Sequence, residues 1–149
     1  RFYDADELKD VCEWREFKTG RVLGFVSEME QMSDDDWFGN NGWYWRESRL
    51  KQFLDARDDV FLCGSSENIV DCYELFDKII VLNKTEQDLV KNLQSPDRVN
   101  PFGKTTKQRE NFMEWQNYLI REAKPYGPVL IGGNDTAMAY EQIVSLGSS

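Results

Sequence analysis

Asp4 and Asp6 follow the apolar pair Phe2-Tyr3 near the start of the chain. Carboxylates just past a strand can orient a hydroxyl or accept its proton. Acidic residues in that position also cap helices. Arg46 lies at the expected start of a helix, after Trp43-Tyr44-Trp45. A guanidinium there suits planar, bidentate recognition of an anion, or a surface pairing with Glu47 or Asp36. The tryptophans read as core or as a ligand platform. Gly64-Ser65-Ser66 closes the apolar run Val60-Phe61-Leu62-Cys63. Open parallel sheets bind ligands outside the carboxyl ends of their strands. Gly64 and Ser65 are therefore substrate-contact candidates, or else an ordinary turn into a helix capped by Ser66. Arg98 and Lys104 stand on either side of Pro101 and Gly103, as a solvated basic loop or as cations able to close over an anion. Asp34-Asp35-Asp36 lacks the spacing and closing Glu of a calcium loop, so a solvated turn or cap is the reading there.

Other chemistries are excluded by composition. There is no histidine, which removes Ser-His-Asp triads, Cys-His dyads and histidine-ligated zinc. The cysteines are Cys12, Cys63 and Cys72, an odd set without a disulfide framework. Cys63 is expected to be a buried thiol. With 27 acidic and 18 basic residues the net charge is −9, which opposes broad binding to nucleic acid. No run of apolar residues is long enough to span a membrane, and no secretory signal is visible. A cytoplasmic location is expected. The chain starts at Arg1 rather than Met, so sequence upstream of it is expected.

The elements that must position these side chains alternate along the chain. Phe2-Tyr3 is expected to end a strand, Glu7–Trp14 to form a short helix, and Arg21–Val26 an extended segment. A long polar loop with some helical turns covers Ser27–Gly42. Trp45–Arg57 carries Leu50, Phe53 and Leu54 on one helical face. Val60–Cys63, Lys78–Leu82 and Val129–Ile131 read as buried strands. Helices are expected over Ile69–Phe76, Thr85–Leu93 (with Thr85 capping and Asp88 three residues on), Thr105–Ala123 and Thr136–Leu146. Ser95–Lys104 is a loop. Strands alternating with helices imply one α/β domain over residues 1–149, a parallel sheet with helices on both faces.

Several segments in this order resemble the P-loop small-molecule kinases, similar in fold to shikimate and nucleoside kinases. They are Trp45-Arg46-Glu47, Phe61-Leu62-Cys63-Gly64-Ser65-Ser66-Glu67-Asn68, Phe76-Asp77-Lys78-Ile79-Ile80-Val81-Leu82 and Arg98-Val99-Asn100-Pro101-Phe102-Gly103-Lys104. Weaker similarity reaches Tyr3-Asp4-Ala5-Asp6 and Gly133-Asn134. The departure is an absence: no G-x-x-x-x-G-K-[ST] loop occurs in the sequence. Gly103-Lys104-Thr105 has only the terminal triplet, with Arg98 where the first glycine would stand. The resemblance places the phosphate-loop strand upstream of Arg1. There it would be the middle strand of five, between Val60–Cys63 and Lys78–Leu82, or its slot would be filled by a complementary chain or by a strand from within this chain such as Arg21–Val26.

The resemblance implies ATP and Mg²⁺ as cosubstrate and cofactor. It assigns Asp4 and Asp6 to the acceptor hydroxyl, Asp6 also to the metal, and Arg46 with Gly64 and Ser65 to the acceptor. Arg98 and Lys104 become lid residues over the phosphates. Asn134 and Asp135 become base contacts, with turn and cap as their alternative. The implied activity is ATP-dependent phosphoryl transfer to a hydroxyl of a small metabolite, a nucleoside or a polyol acid. The rival is a non-catalytic binding module derived from the same fold, since the phosphate-cradling lysine is absent. An acidic mimic of nucleic acid would array carboxylates over one face, and the packed α/β pattern does not.

Overall fold

The computed structural model describes residues 1–23, 35–96, 103, 105–133 and 135–147. The chain forms two compact units, Arg1–Leu75 and Phe76–Ser149. Both are mixed α/β and each contains one short parallel strand pair.

In the first unit, β1 (Phe2–Asp4) runs parallel to β4 (Phe61–Cys63), in the register Phe2 to Phe61, Tyr3 to Leu62 and Asp4 to Cys63. Both strands therefore end level, and the segments leaving them emerge on the same side. After β1 comes a single 3₁₀ turn, Ala5–Glu7. The expected helix over Glu7–Trp14 is not formed. Cys12–Glu16 is instead β2, antiparallel to β3 (Asn41–Trp45), with Cys12 opposite Trp45 and Glu16 opposite Asn41. Its Cys-Glu-Trp-Arg-Glu alternation has the period of two that a ladder needs. Of the expected extended segment at 21–26, Val22 makes a lone antiparallel bridge to Arg15, and 24–26 lie outside the described residues, as do 27–34 of the long loop.

α1 (Asp35–Asn40) and α2 (Glu47–Asp55) bracket β3. On α2, Leu50 is completely buried, which contributes about 1.5–3 kcal/mol. It joins Ala5, Val11, Cys12, Trp45, Cys72 and Tyr73 as buried core residues of this unit. Ile69–Leu75 winds as a 3₁₀ helix.

In the second unit, β5 (Ile80–Asn83) is parallel to β6 (Val129–Gly132), pairing Ile80 with Val129 through Asn83 with Gly132. α3 (Glu86–Leu93) begins at Thr85, whose hydroxyl accepts the Asp88 N–H at 3.2 Å, as its sequence implies. α4 (Thr106–Ala123) is capped in the same way by Thr105 on Gln108 N at 3.1 Å. α5 spans Thr136–Gly147. Ile79, Val81, Leu93, Ala123, Ile131 and Ala139 are buried. Among the described residues β4 has one strand partner, β1, and β5 has one, β6. A single sheet with helices on both faces is thus not what the described residues form; they form short separate pairs.

Candidate acceptor site at the carboxyl ends of β1 and β4

The level ends of β1 and β4 bring Asp4, Asp6, Gly64 and Ser65 into one neighbourhood. Asp4 Oδ1 accepts the Asp6 N–H at 2.9 Å and caps the 3₁₀ turn. That turn presents Asp6, whose Oδ1 accepts the indole N–H of Trp43 at 2.8 Å. Asp6 is open to solvent on one side and shielded on the other. Desolvation on the shielded side raises its pKa, the Trp43 hydrogen bond pulls it down, and the like charge of Asp4 adds to the rise.

Gly64 has no freedom to be anything larger. Its φ is 151°, and a Cβ there would sit 2.8 Å from Ala5 Cβ and 3.3 Å from Trp45 Cζ2. The glycine is what lets the exit of β4 lie against the turn after β1. Beyond it, Ser66 is buried and its hydroxyl donates to Asn68 Oδ1 at 3.2 Å. Asn68 then brackets one residue of β3: its Oδ1 accepts Trp45 N–H at 2.9 Å and its Nδ2 donates to Trp45 O at 2.9 Å. Glu67 N adds a bond to Trp43 O at 2.8 Å. The segment after β4 thereby fixes the strand that carries Trp43 and Trp45 and leads into Arg46.

Arg46 is held from the other side. Its N–H donates to Val11 O at 2.7 Å. Its guanidinium makes one long bond, Nη2 to Lys9 O at 3.4 Å. Its Nε lies 3.3 Å from Glu13 Oε2, close enough for an ion pair but not aligned as a hydrogen bond. Glu13 is also gripped by Arg15, 2.6 Å from Oε1, and Arg15 lies over the Tyr44 ring at 4.9 Å. The partner of Arg46 is thus Glu13 rather than Glu47 or Asp36, and the guanidinium is committed to a carboxylate of its own chain.

The cysteines report the local field. Cys12 Sγ donates to Ala5 O at 2.9 Å. Burial, with the negative charges of Asp6 and Asp4, pushes its thiol up to about 12 against a smaller downward pull from Arg46. Cys63 is exposed rather than buried. Its sulfur is shielded on the protein side, and that desolvation followed by the charge of Asp4 raises its pKa. Trp14, Trp37, Trp43 and Trp45 are packed against other side chains. Trp45 is core, 2% exposed. Trp14 packs with Trp37, Phe38 and Trp43 at centroid distances of 4.7, 6.1 and 5.0 Å, close enough that the rings fill the space between them.

The remaining candidates belong to the second unit. Asp135 Oδ1 accepts Met138 N–H at 3.0 Å, so it caps α5. Arg98, Lys104 and Asn134 lie outside the described residues. Gly103, between the two lid candidates, is described: its N–H donates to Gln108 Oε1 at 2.7 Å, and Gln108 is 1% exposed. Among the described residues no group of three carboxylates or thiols is disposed around a metal position, and no helix is long and apolar enough to cross a membrane.

Glu13 and Asn68 are neighbours of the site that the sequence alone does not single out, and Trp43, read there as core or ligand platform, is found as a hydrogen-bond donor to Asp6. Asn68 lies within a segment that carries the kinase resemblance, but nothing local gives away its bracketing role. Glu13 and Trp43 matter only because β2 and β3 pair. No protein family, no curated protein and no solved structure matches the chain.

Proposed function

We propose that the chain provides the acceptor side of an ATP-dependent kinase acting on a hydroxyl of a small metabolite. The observation that carries this reading is the convergence of Asp4, Asp6 and Gly64 at the level carboxyl ends of a parallel strand pair, the place where open α/β sheets bind their ligands. Asp6 would accept the acceptor's hydroxyl hydrogen bond on the oxygen not used by Trp43. Its raised pKa brings it nearer to a competent base. Asp4, by capping the turn, holds Asp6 in place. The Mg²⁺ that accompanies ATP is ordinarily held by one or two carboxylates with phosphates and water completing its shell. Asp6 and Asp4 supply that number, and the ion would neutralise phosphate charge when bound. Arg98 and Lys104 retain the lid roles that the resemblance gives them, and the phosphate loop would come from sequence outside Arg1–Ser149.

The rival, a binding module without catalysis, is favoured by one observation: Asp4 Oδ1 and Asp6 Oδ1 are each already engaged within the chain. One experiment separates the two. The full-length protein from the complete gene is incubated with ATP, Mg²⁺ and a panel of nucleosides and polyols, and ADP release is followed with ³¹P NMR of the products. Turnover that falls on the order of 10²–10⁴-fold in Asp6→Asn supports the kinase. Acceptor binding seen by tryptophan emission without ADP release establishes the binding module instead.

A further inference from the structure

The site at the ends of β1 and β4 has two uncharged indole donors beside its carboxylates. Trp43 is spent on Asp6. Trp45 is not: its Nε1 is buried, and among the described residues it has no hydrogen-bond partner, in a residue only 2% exposed. Its Cζ2, two bonds from that nitrogen, faces Gly64 at 3.3 Å from where a Cβ would be. The same Gly64 position meets Ala5, the residue between Asp4 and Asp6. Trp43 and Trp45 are two residues apart on one strand and so share a face. A buried polar group without a partner costs about 1–3 kcal/mol, and an oxygen that accepts from Trp45 removes that cost.

Acceptors and charges select further. Asp4 and Asp6 each have one oxygen bonded within the first unit, leaving the other to receive a donor. The two guanidiniums nearby, Arg15 and Arg46, both face Glu13. Of the chain's charges, 18 acidic and nine basic residues fall within Arg1–Leu75, so this unit alone carries the net charge of −9, and Phe76–Ser149 carries none. Counting Asp4, Asp6 and Glu13 against Arg15 and Arg46, the carboxylates about the site outnumber the guanidiniums three to two.

We infer that the acceptor this site takes is an uncharged or cationic molecule bearing hydroxyl groups, and that acids and phosphate esters arriving without a bound cation are turned away. A hydroxyl donates to a carboxylate and accepts from an indole, which is the pairing on offer. An ammonium group gains further from Asp4 and Asp6. A carboxylate or phosphate meets the like charges of Asp4 and Asp6, while both nearby guanidiniums already face Glu13. The inference rests on the acceptor-site proposal and narrows its substrate class, setting the polyol acid aside in favour of the neutral or amino-substituted hydroxyl compound.

Cys63 provides a direct probe, because it is exposed and in register with Asp4 while Cys12 and Cys72 are buried. The rates at which 2-aminoethyl methanethiosulfonate (a cation) and 2-sulfonatoethyl methanethiosulfonate (an anion) modify Cys63 are compared. Each is normalised to its rate with free cysteine. A field of one sign accelerates arrival of the opposite charge by about tenfold or more. The cation is expected to be favoured about tenfold, with the ratio falling towards one in Asp4→Asn and Asp6→Asn and in concentrated salt. A ratio of one or below, or one that neither substitution nor salt changes, overturns the inference. If the substitutions unfold the protein, the salt dependence alone decides it. The measurement needs neither ATP nor turnover. A strong cation preference in a protein that never releases ADP would sink the kinase reading and leave this one standing.

Discussion

Asn68→Ala should be among the most destabilising single substitutions in the first unit. The carboxamide occupies both backbone groups of Trp45, each at 2.9 Å. Trp45 is 2% exposed, so water cannot step in for the lost bonds without disturbing the core. Each buried group left unpaired costs about 1–3 kcal/mol. Allowing for partial relaxation, the pair should cost about 2–4 kcal/mol. That is a large share of a total stability of about 5–15 kcal/mol. Equilibrium urea unfolding followed by tryptophan emission is the natural assay, since four of the five tryptophans lie in Arg1–Leu75. Asn68→Asp sharpens the test. It keeps an acceptor for Trp45 N–H but sets a carboxylate oxygen against Trp45 O, where the donor was. Above the pKa of the new carboxyl the variant should be destabilised. As pH falls through that raised pKa, protonation restores an O–H donor and the deficit should shrink. A loss below about 0.5 kcal/mol for Asn68→Ala would refute the bracketing argument, as would an Asn68→Asp deficit that ignores pH.

Gly64→Ala forces a Cβ to 2.8 Å from Ala5 Cβ at a φ of 151°; a loss of about 1–3 kcal/mol is expected in the same denaturation experiment. Asp6→Asn keeps an acceptor for Trp43 while abolishing a carboxyl whose pKa is raised in the folded chain, chiefly by desolvation. The wild type binds the proton more tightly when folded, so Asp6 lowers stability as pH rises from its unfolded pKa through its folded one. Stability against pH should be flatter in the variant, and the variant should compare most favourably at neutral pH. Gln116→Ala removes a similar bracket in the second unit, where Gln116 meets Lys84 N at 3.1 Å and Lys84 O at 3.0 Å; a loss of about 1–3 kcal/mol is expected by denaturation. Under the proposed kinase reading, Arg98→Ala in the full-length protein should lower turnover on the order of 10²–10³-fold with little change in nucleotide affinity, and unchanged turnover removes Arg98 from that proposal.

The strands legible in the sequence are those whose signal is local. Phe61–Cys63, Ile80–Asn83 and Val129–Gly132 are short apolar runs bounded by turn residues, and Thr85 and Thr105 announce their helices by hydroxyl and spacing. The β2–β3 ladder escapes such a reading because Leu8, Val11 and Cys12 also fit a helical spacing, and only a partner some thirty residues away decides between the periods. That ladder carries Glu13, Trp43 and Trp45 and leads into Arg46, so the half of the site that depends on long-range pairing is hidden with it. Asp4, Asp6 and Gly64 are legible because a strand end is a local signal that already implies a position. The apolar neighbours of Cys63 point to a buried thiol. A three-residue strand that ends at the same level as its partner puts its last side chain at the rim instead.

The strand pairs also write a pattern into the backbone that can be read one amide at a time. Val129 N donates to Ile79 O at 2.9 Å and Gly133 N to Asn83 O at 3.1 Å. Along a strand successive N–H groups point to opposite sides, so Ile131 N–H faces β5 while Leu130 N–H faces away from it. In the other pair, Phe61 N donates to Arg1 O at 2.7 Å, which turns Leu62 N–H away from β1. Deuterium should therefore enter Leu130 and Leu62 well before their immediate neighbours. Any third strand that comes to lie along either edge, from this chain's gene or from another molecule, would announce itself by slowing those alternate amides while leaving the rest unchanged.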